Sequence, residues 1–404
     1  MSDSLPTLRS SLANARSASD RLFECLRPGA IYERAVSERH RFIFYCGHLD
    51  AFDWNLLGVS TLGLTPFRPE WDRLFAFGID PESSDLPTDS AGDWPSEEEL
   101  RAYCVRTRNA IDDSLESLDP EGLRVAIEHR LMHMETLAYL LHNLDYSLKS
   151  GKHDEPLTGG HAPLNSFVPI SEGQVTLGQE AGCFGWDNEF PRHTRDVDSF
   201  GIQKYKVTNG DYLPFVQEGA SAPHFWVRRD EQWMLRGMFS EIPLPLDWPV
   251  WTTQAEAHAY AAHYGFRLPS EAEFHRAAFG TPGGEERAFP WGNEAPKASR
   301  GNFDFTRWDP CPVDANPCGD SAFGVAQMVG NGWEWTSTPF APFAGFQPAP
   351  YYPGYSANFF DEKHYVLKGA SPRTAKTFLR RSFRNWFRGD YRYAFAGFRC
   401  VSDD

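Results

Sequence analysis

The feature that most constrains the fold is a change of texture at residues 150–165. Before it, apolar residues recur at helical spacing. The stretch itself, SGKHDEPLTGGHAPLN, is polar and rich in Gly and Pro, and after it short apolar runs alternate with Gly, Pro, Asn and Asp. A chain of 404 residues exceeds one ordinary hydrophobic core, so such a break marks a domain boundary. The pattern predicts a helical bundle over 1–150, a linker over 151–165 and an α+β domain with much irregular backbone over 166–404.

Within the first part, periodicity predicts helices near 8–27, 38–58, 96–117 and 121–148. Ser96 followed by Glu97, Glu98 and Glu99 is a capped, acidic helix start. Asp119-Pro120-Glu121 supplies a cap, a first-turn proline and an acidic first turn. Four such helices imply a four-helix bundle. A long Pro/Asp/Ser-rich connection separates the second helix from the third, over 60–95. In the second part, helices are expected at Thr253–His263 and from Ser270 onward.

The formal charge of −16 argues against nucleic acid or an anionic membrane as the main partner. An aromatic share of 15% points to aromatic-rich cores and an aromatic-lined pocket. The first residues hold no apolar run of signal-peptide length, and no stretch is long enough to span a membrane. Seven scattered cysteines without a CxxC pair suit reduced thiols in the cytoplasm.

His129 and His133 stand four residues apart in Glu128-His-Arg-Leu-Met-His-Met-Glu135. On a helix both imidazoles share one face, one turn apart, within reach of one ion. Such a pair also occurs by chance in helix interiors. His48 adds weight, because it lies in the apolar, aromatic run Phe42-Ile-Phe-Tyr-Cys-Gly-His-Leu-Asp-Ala-Phe-Asp-Trp54. A histidine there faces the bundle interior, where metal sites are assembled from facing helices, and a shared metal satisfies three buried imidazoles at once. Glu135 sits about 200° round the helix from His133 and points away. Asp50 and Asp53 are offset from His48 in the same way, and His142 is out of phase, a core or interface histidine. Three neutral imidazoles suit zinc, iron, copper or nickel, and the residues alone do not choose among them.

From Val175 onward the chain resembles the formylglycine-generating-enzyme-like domain, a variant of the C-type lectin fold. The stretches that carry the resemblance are Phe200-Gly-Ile-Gln-Lys-Tyr-Lys-Val-Thr-Asn209, Gly265-Phe-Arg-Leu-Pro-Ser-Glu-Ala-Glu273, Phe289-Pro-Trp-Gly292, Gly330-Asn-Gly-Trp-Glu-Trp-Thr336, Tyr365-Val-Leu-Lys-Gly-Ala-Ser371 and Ala396-Gly-Phe-Arg399. Most of these residues are structural, with Trp333 and Trp335 expected in the core. The first part resembles the DinB-like bundle. The two together resemble the sulfoxide synthases of thiohistidine biosynthesis, which include the ergothioneine, ovothiol and selenoneine synthases. The resemblance implies Fe(II) on His48, His129 and His133, with O2 as co-substrate. It also implies small-molecule substrates: hercynine, the trimethylated betaine of histidine, and a selenosugar or thiol whose chalcogen becomes bonded to the imidazole carbon.

The resemblance also implies substrate-binding positions. Arg384-Asn385-Trp386 matches the family's acceptor-binding Asn-Trp: the amide suits a betaine carboxylate, and aromatic faces suit a trimethylammonium. Phe387 and Arg388 follow where glutamylcysteine-using members carry Asp and, a few residues on, a carboxylate-gripping Arg. Met132 stands where ergothioneine synthases often carry Gln. Arg384 and Arg388 are candidates for a carboxylate, a phosphate or sugar hydroxyls. These departures, with the segments Arg41–Leu56 and Gly369–Ala375, are most similar to the selenoneine branch. Family members place a tyrosine beside the iron; Tyr351, Tyr352 and Tyr355 are the candidates, and Phe340, Phe343 and Phe346 are candidates for a tyrosine position of the relatives. Two other classes compete: a zinc-dependent thiol transferase or hydrolase on the same histidines, and a lectin-like module that binds without catalysis. Formylglycine generation is disfavoured, since Cys311 and Cys318 make no convincing active-site pair.

Overall fold

The computed structural model describes residues 4–76, 88–152 and 160–403 and divides the chain into two compact units, Met1–Lys152 and His153–Asp404. The first unit contains α1 (Leu5–Phe23), α2 (Phe42–Asp53), α3 (Pro69–Leu74), α4 (Glu97–Asp112) and α5 (Pro120–Asn143). The four longer helices form the bundle, with α1 on α5 and α2 against both α4 and α5. Local chemistry sets the helix starts. The Ser96 hydroxyl and the Glu99 carboxylate form a reciprocal capping box on α4, and the Asp119 carboxylate accepts from the backbone N–H groups of Glu121 and Gly122 at the start of α5. Leu8, Leu12, Trp54, Leu57, Ile111, Leu123 and Ile127 close one end of the core.

Two features depart from the periodicity. The second helix turns into a π-helix over Trp54–Thr61 instead of continuing as α. The expected connection over 60–95 contains α3, which opens with Pro69 and carries Glu70 and Asp72 in its first turn; residues 77–87 of that connection lie outside the described residues.

The second unit is α+β. Its first strands are β1 (Phe167–Ile170), β2 (Gly173–Leu177), β3 (His193–Val197) and β4 (Phe200–Gln203). Next come α6 (Asn209–Gln217), β5 (Trp226–Arg229), β6 (Gln232–Arg236), β7 (Glu241–Pro243), α7 (Gln254–His263) and α8 (Glu271–Phe279). The last strands are β8 (Gly332–Pro339), β9 (His364–Ala370), β10 (Asn385–Arg388), β11 (Ala396–Gly397) and β12 (Val401–Ser402). The central sheet runs β10-β9-β8-β11, antiparallel except for the β11–β8 pair, and smaller sheets run β1-β4-β12, β5-β6-β7 and β2-β3. Trp333 and Trp335 are fully covered in β8, as the motif predicts. Glu334 between them takes Arg399 and Lys206 as buried ion partners, so three separate sequence motifs meet in one charge cluster. Gly332 has φ 138°, and a Cβ there would lie 2.7 Å from Nε1 of Trp251, which explains the glycine before the tryptophans. Residues 160–165 lie against this unit: the Gly160 N–H donates to Asp247 (2.6 Å), and the Asn165 side chain pairs with the Tyr205 backbone.

Candidate metal centre

The sequence period of α5 places His129 and His133 one above the other, and α2 presents His48 to them. The rings lie with centroids 5.0 Å apart for His48–His129, 4.8 Å for His48–His133 and 4.5 Å for His129–His133. One ligand atom from each falls within 4.8 Å of the others. All three side chains are buried. The Nδ1–H of His48 donates to the Phe75 carbonyl at 2.6 Å, which leaves its Nε2 as a bare lone pair. That Nε2 lies 3.1 Å from Nε2 of His133, a spacing suited to two nitrogens sharing one divalent ion at ordinary metal–nitrogen distances of about 2.0–2.1 Å. Among the described residues, neither ring nitrogen of His129 nor Nδ1 of His133 has a hydrogen-bond partner. Buried polar nitrogens without partners are costly, and a bound ion would satisfy the cluster, so the donor set fits a nitrogen-liking divalent metal.

The surroundings keep the imidazoles neutral, which is their ligating form. Burial pushes His48 down to about 4, against a weaker opposing pull from the Phe75 carbonyl. Burial also holds His129 and His133 well below the usual imidazole range, helped by the neighbouring histidines and, for His133, by Arg39. Apolar rings wall the site: Phe52 stacks on His129 at 3.5 Å and 10°, and Phe44 stacks on His48 at 5.0 Å and 17°. Gly47, just before His48, leaves room for Phe75, since a Cβ there would penetrate the Phe75 ring.

About a quarter turn round α5 from the histidine pair, an ion network centred on Arg130 ties α5 to α2. Arg130 donates to the Leu49 carbonyl (3.0 Å), to Asp50 (2.6 Å), to Asp53 (2.7 Å) and to Ser19 (3.1 Å). Burial pushes the Asp50 carboxyl up, but the Arg130 and Arg108 guanidiniums outweigh it and hold the group below the usual carboxylate range. The offset that turns Asp50 and Asp53 away from His48 is thus what delivers them to Arg130. His142 is buried farther along α5, apart from the three-histidine cluster.

The model described as FGE-sulfatase, sulfatase-modifying factor enzyme 1-like domain, matches residues 154–404. Hercynine oxygenase of Mycolicibacterium smegmatis is 36% identical over 335 residues, spanning 76% of this chain and 78% of that protein. The chain belongs to the ergothioneine synthase family. Hercynine oxygenase of Mycobacterium tuberculosis is 34% identical over 340 residues, covering 75% of this chain and 77% of that one. Ergothioneine biosynthesis protein 1 of Schizosaccharomyces pombe is 30% identical over 427 residues, 92% of this chain and 53% of its own length. As a member of this family the chain is an oxidative enzyme, built as a four-helix bundle followed by a C-type-lectin-like domain.

The other sequence-predicted positions divide between the two units. Met132 sits half-buried on α5 between the two histidines. In the second unit, Asn385, Trp386, Phe387 and Arg388 form β10, paired with β9. Trp386 stacks on Phe340 at 4.4 Å and 7°, and Tyr355 meets it edge-on at 5.2 Å. Tyr355 also stacks on Trp186 at 4.1 Å, and Tyr351 meets Trp186 edge-on at 6.4 Å. Tyr352 touches this cluster through Tyr355 at 5.8 Å. Phe387 stacks on Tyr391 at 4.9 Å, and Arg388 is exposed. Arg384 is buried, and its guanidinium donates to Glu271 (3.0 Å) and to the carbonyls of Asn188 and Ala341. Residues not singled out from sequence also shape this region: Trp186 covers Tyr355, while Asp187 and Asn188 bind the Ser356 hydroxyl beside the tyrosine segment.

Proposed function

We propose that this enzyme uses Fe(II) and O2 to join the selenium of a selenosugar to the imidazole carbon of hercynine, leaving the product as the selenoxide. The observation that carries the reading is the convergence of three buried, neutral imidazoles, with the His48 tautomer set by the Phe75 carbonyl. The relatives named hercynine oxygenase support hercynine as the acceptor. The selenosugar donor rests on Met132 and on the Phe387-Arg388 continuation of the Asn-Trp motif. In the balanced reaction the imidazole C–H and the Se–H are lost and a C–Se bond forms. One atom of O2 ends on selenium and the other leaves as water.

When bound to His48, His129 and His133, Fe(II) supplies a soft site for a chalcogenolate and one-electron chemistry toward O2. The chain's own residues supply the rest. The histidines stay unprotonated because burial disfavours the cation. Phe44 and Phe52 exclude water from their rings. Asn385 donates to the betaine carboxylate, and the faces of Trp386 and Tyr355 hold the trimethylammonium by cation–π attraction of about 0.5–2 kcal/mol. A phenol among Tyr351, Tyr352 and Tyr355 supplies the proton, with Tyr355 favoured by its contact with Trp386. Arg388 and Phe387 serve the donor. A place in the reducing cytoplasm belongs to this reading and is supported by the seven cysteines, none of which forms a disulfide; among the described residues no helix is long and apolar enough to cross a membrane.

A second reading, C–S bond formation from hercynine and cysteine or glutamylcysteine, is favoured by the relatives' names. The test is anaerobic reconstitution with Fe(II), then O2, hercynine and a donor panel, with mass spectrometry of the product. Coupling with the selenosugar at the highest kcat/KM supports the first reading, and preference for glutamylcysteine assigns the second. Absence of coupling with every donor, or zinc occupancy with O2-independent turnover, overturns both.

A further inference from the structure

The carbonyl that orients His48 belongs to Phe75, the residue that ends the short helix α3, and α3 is only six residues long, Pro69–Leu74. A helix of that length does not hold its position by its own hydrogen bonds. Its buried residues are Trp71 and Asp72. The Asp72 carboxylate accepts from the Tyr103 hydroxyl on α4 at 2.7 Å and from the Trp54 indole N–H, just past α2, at 3.3 Å. The Asp72 carbonyl accepts from the Asn55 side chain at 3.1 Å. Phe75 follows three residues later, one helical turn on, with its N–H bonded to the Trp71 carbonyl (3.0 Å) and its ring in the space that Gly47 leaves open. A carboxylate at the centre of three elements therefore fixes the turn whose carbonyl meets His48 Nδ1.

We infer that Asp72 is a positioning residue for the metal centre: by anchoring α3 to Tyr103 and Trp54 it holds the Phe75 carbonyl on His48, and so sets which His48 nitrogen faces the ion. The inference rests on the reading of the three histidines as a metal site, and not on the identity of the substrates. Burial raises the Asp72 carboxyl above its ordinary value, and the donors that counter this are the neutral hydroxyl and indole N–H. The group is costly to place there, which fits a specific positional role.

The test is anaerobic Co(II) titration of the full chain, read as a dissociation constant and as the visible ligand-field spectrum. Asp72→Ala is expected to weaken Co(II) binding by about tenfold or more and to alter the spectrum, the scale on which partners of ligating histidines act. Asp72→Asn, which keeps one acceptor oxygen, is expected to recover part of the affinity. Leu12→Ala, a core truncation on α1, is the control that lowers stability while leaving affinity and spectrum unchanged. If Asp72→Ala does not fold, Tyr103→Phe decides, with a smaller loss of affinity expected. Unchanged affinity and spectrum in the folded Asp72 variant, or in Tyr103→Phe where that variant decides, overturn the inference. Failure of the unmutated chain to bind Co(II) instead overturns the metal-site reading beneath it. Tight binding without hercynine turnover leaves this inference standing and removes the proposed function.

Discussion

Replacing Gly47 by Ala separates helix propensity from site geometry. Gly47 lies inside α2, where propensity alone favours Ala by about 1 kcal/mol. The added Cβ would enter the Phe75 ring, which is itself fully buried beside Phe44, Trp71, Trp94 and Tyr103. Overpacking of this kind costs about 1–3 kcal/mol. Displacing Phe75 also lengthens its carbonyl bond to His48, worth about 0.5–1.5 kcal/mol. The net expectation is a loss of about 1–3 kcal/mol, which for a unit of this size lowers the melting temperature by roughly 3–10 °C. Because the lost bond orients a ligating imidazole, metal affinity should fall about tenfold or more. The assay is thermal unfolding of metal-free protein beside anaerobic Fe(II) titration. A Gly47→Ala protein more stable than the parent with undiminished iron affinity would refute the packing argument.

Arg130→Met leaves Asp50 and Asp53 buried beside one another, with Arg108 and Arg16 as remaining partners; a loss of about 3–5 kcal/mol is expected by denaturant titration. Metal-free protein should lose stability in mild acid. His48 falls from 6.5 to about 4 on folding, so below pH 6.5 the unfolded chain takes up a proton that the folded chain refuses. Stability present above pH 6.5 is then lost as the pH falls toward 4, by about 3 kcal/mol for His48 alone, with His129 and His133 acting in the same direction. A flat unfolding free energy between pH 7 and 5 contradicts this. Trp386→Ala should raise KM for hercynine between about twofold and thirtyfold, the span of one cation–π contact, with less effect on kcat. Unchanged KM removes Trp386 from the acceptor site.

The three-histidine cluster was legible because its signals are local: a four-residue spacing on one helix, and a histidine in a largely apolar, aromatic run. The helix starts at Ser96 and Asp119 were legible for the same reason, since a cap and its first turn are neighbours in sequence. Helix α3 was not, because six residues hold too little periodicity to stand out in a Pro-rich connection, and its place depends on Tyr103 and Trp54. The ion partners were hidden by sequence distance. Arg384 beside Asn385 suggests a substrate grip, and nothing near it in sequence announces its ion partner Glu271, on α8. Glu334 looks like part of a tryptophan motif until Arg399 and Lys206 are brought to it. The three tyrosines of residues 351–355 are alike in sequence, and only tertiary packing sets Tyr355 apart, through Trp186 and Trp386.

The proposed centre holds one iron ion on His48, His129 and His133. Iron X-ray absorption on protein reconstituted anaerobically with one equivalent of Fe(II) tests it directly. Three imidazole nitrogens in the parent, falling to two in His48→Ala, is the predicted result. An unchanged nitrogen shell in that variant, or a shell dominated by protein carboxylate or sulfur donors, would contradict it.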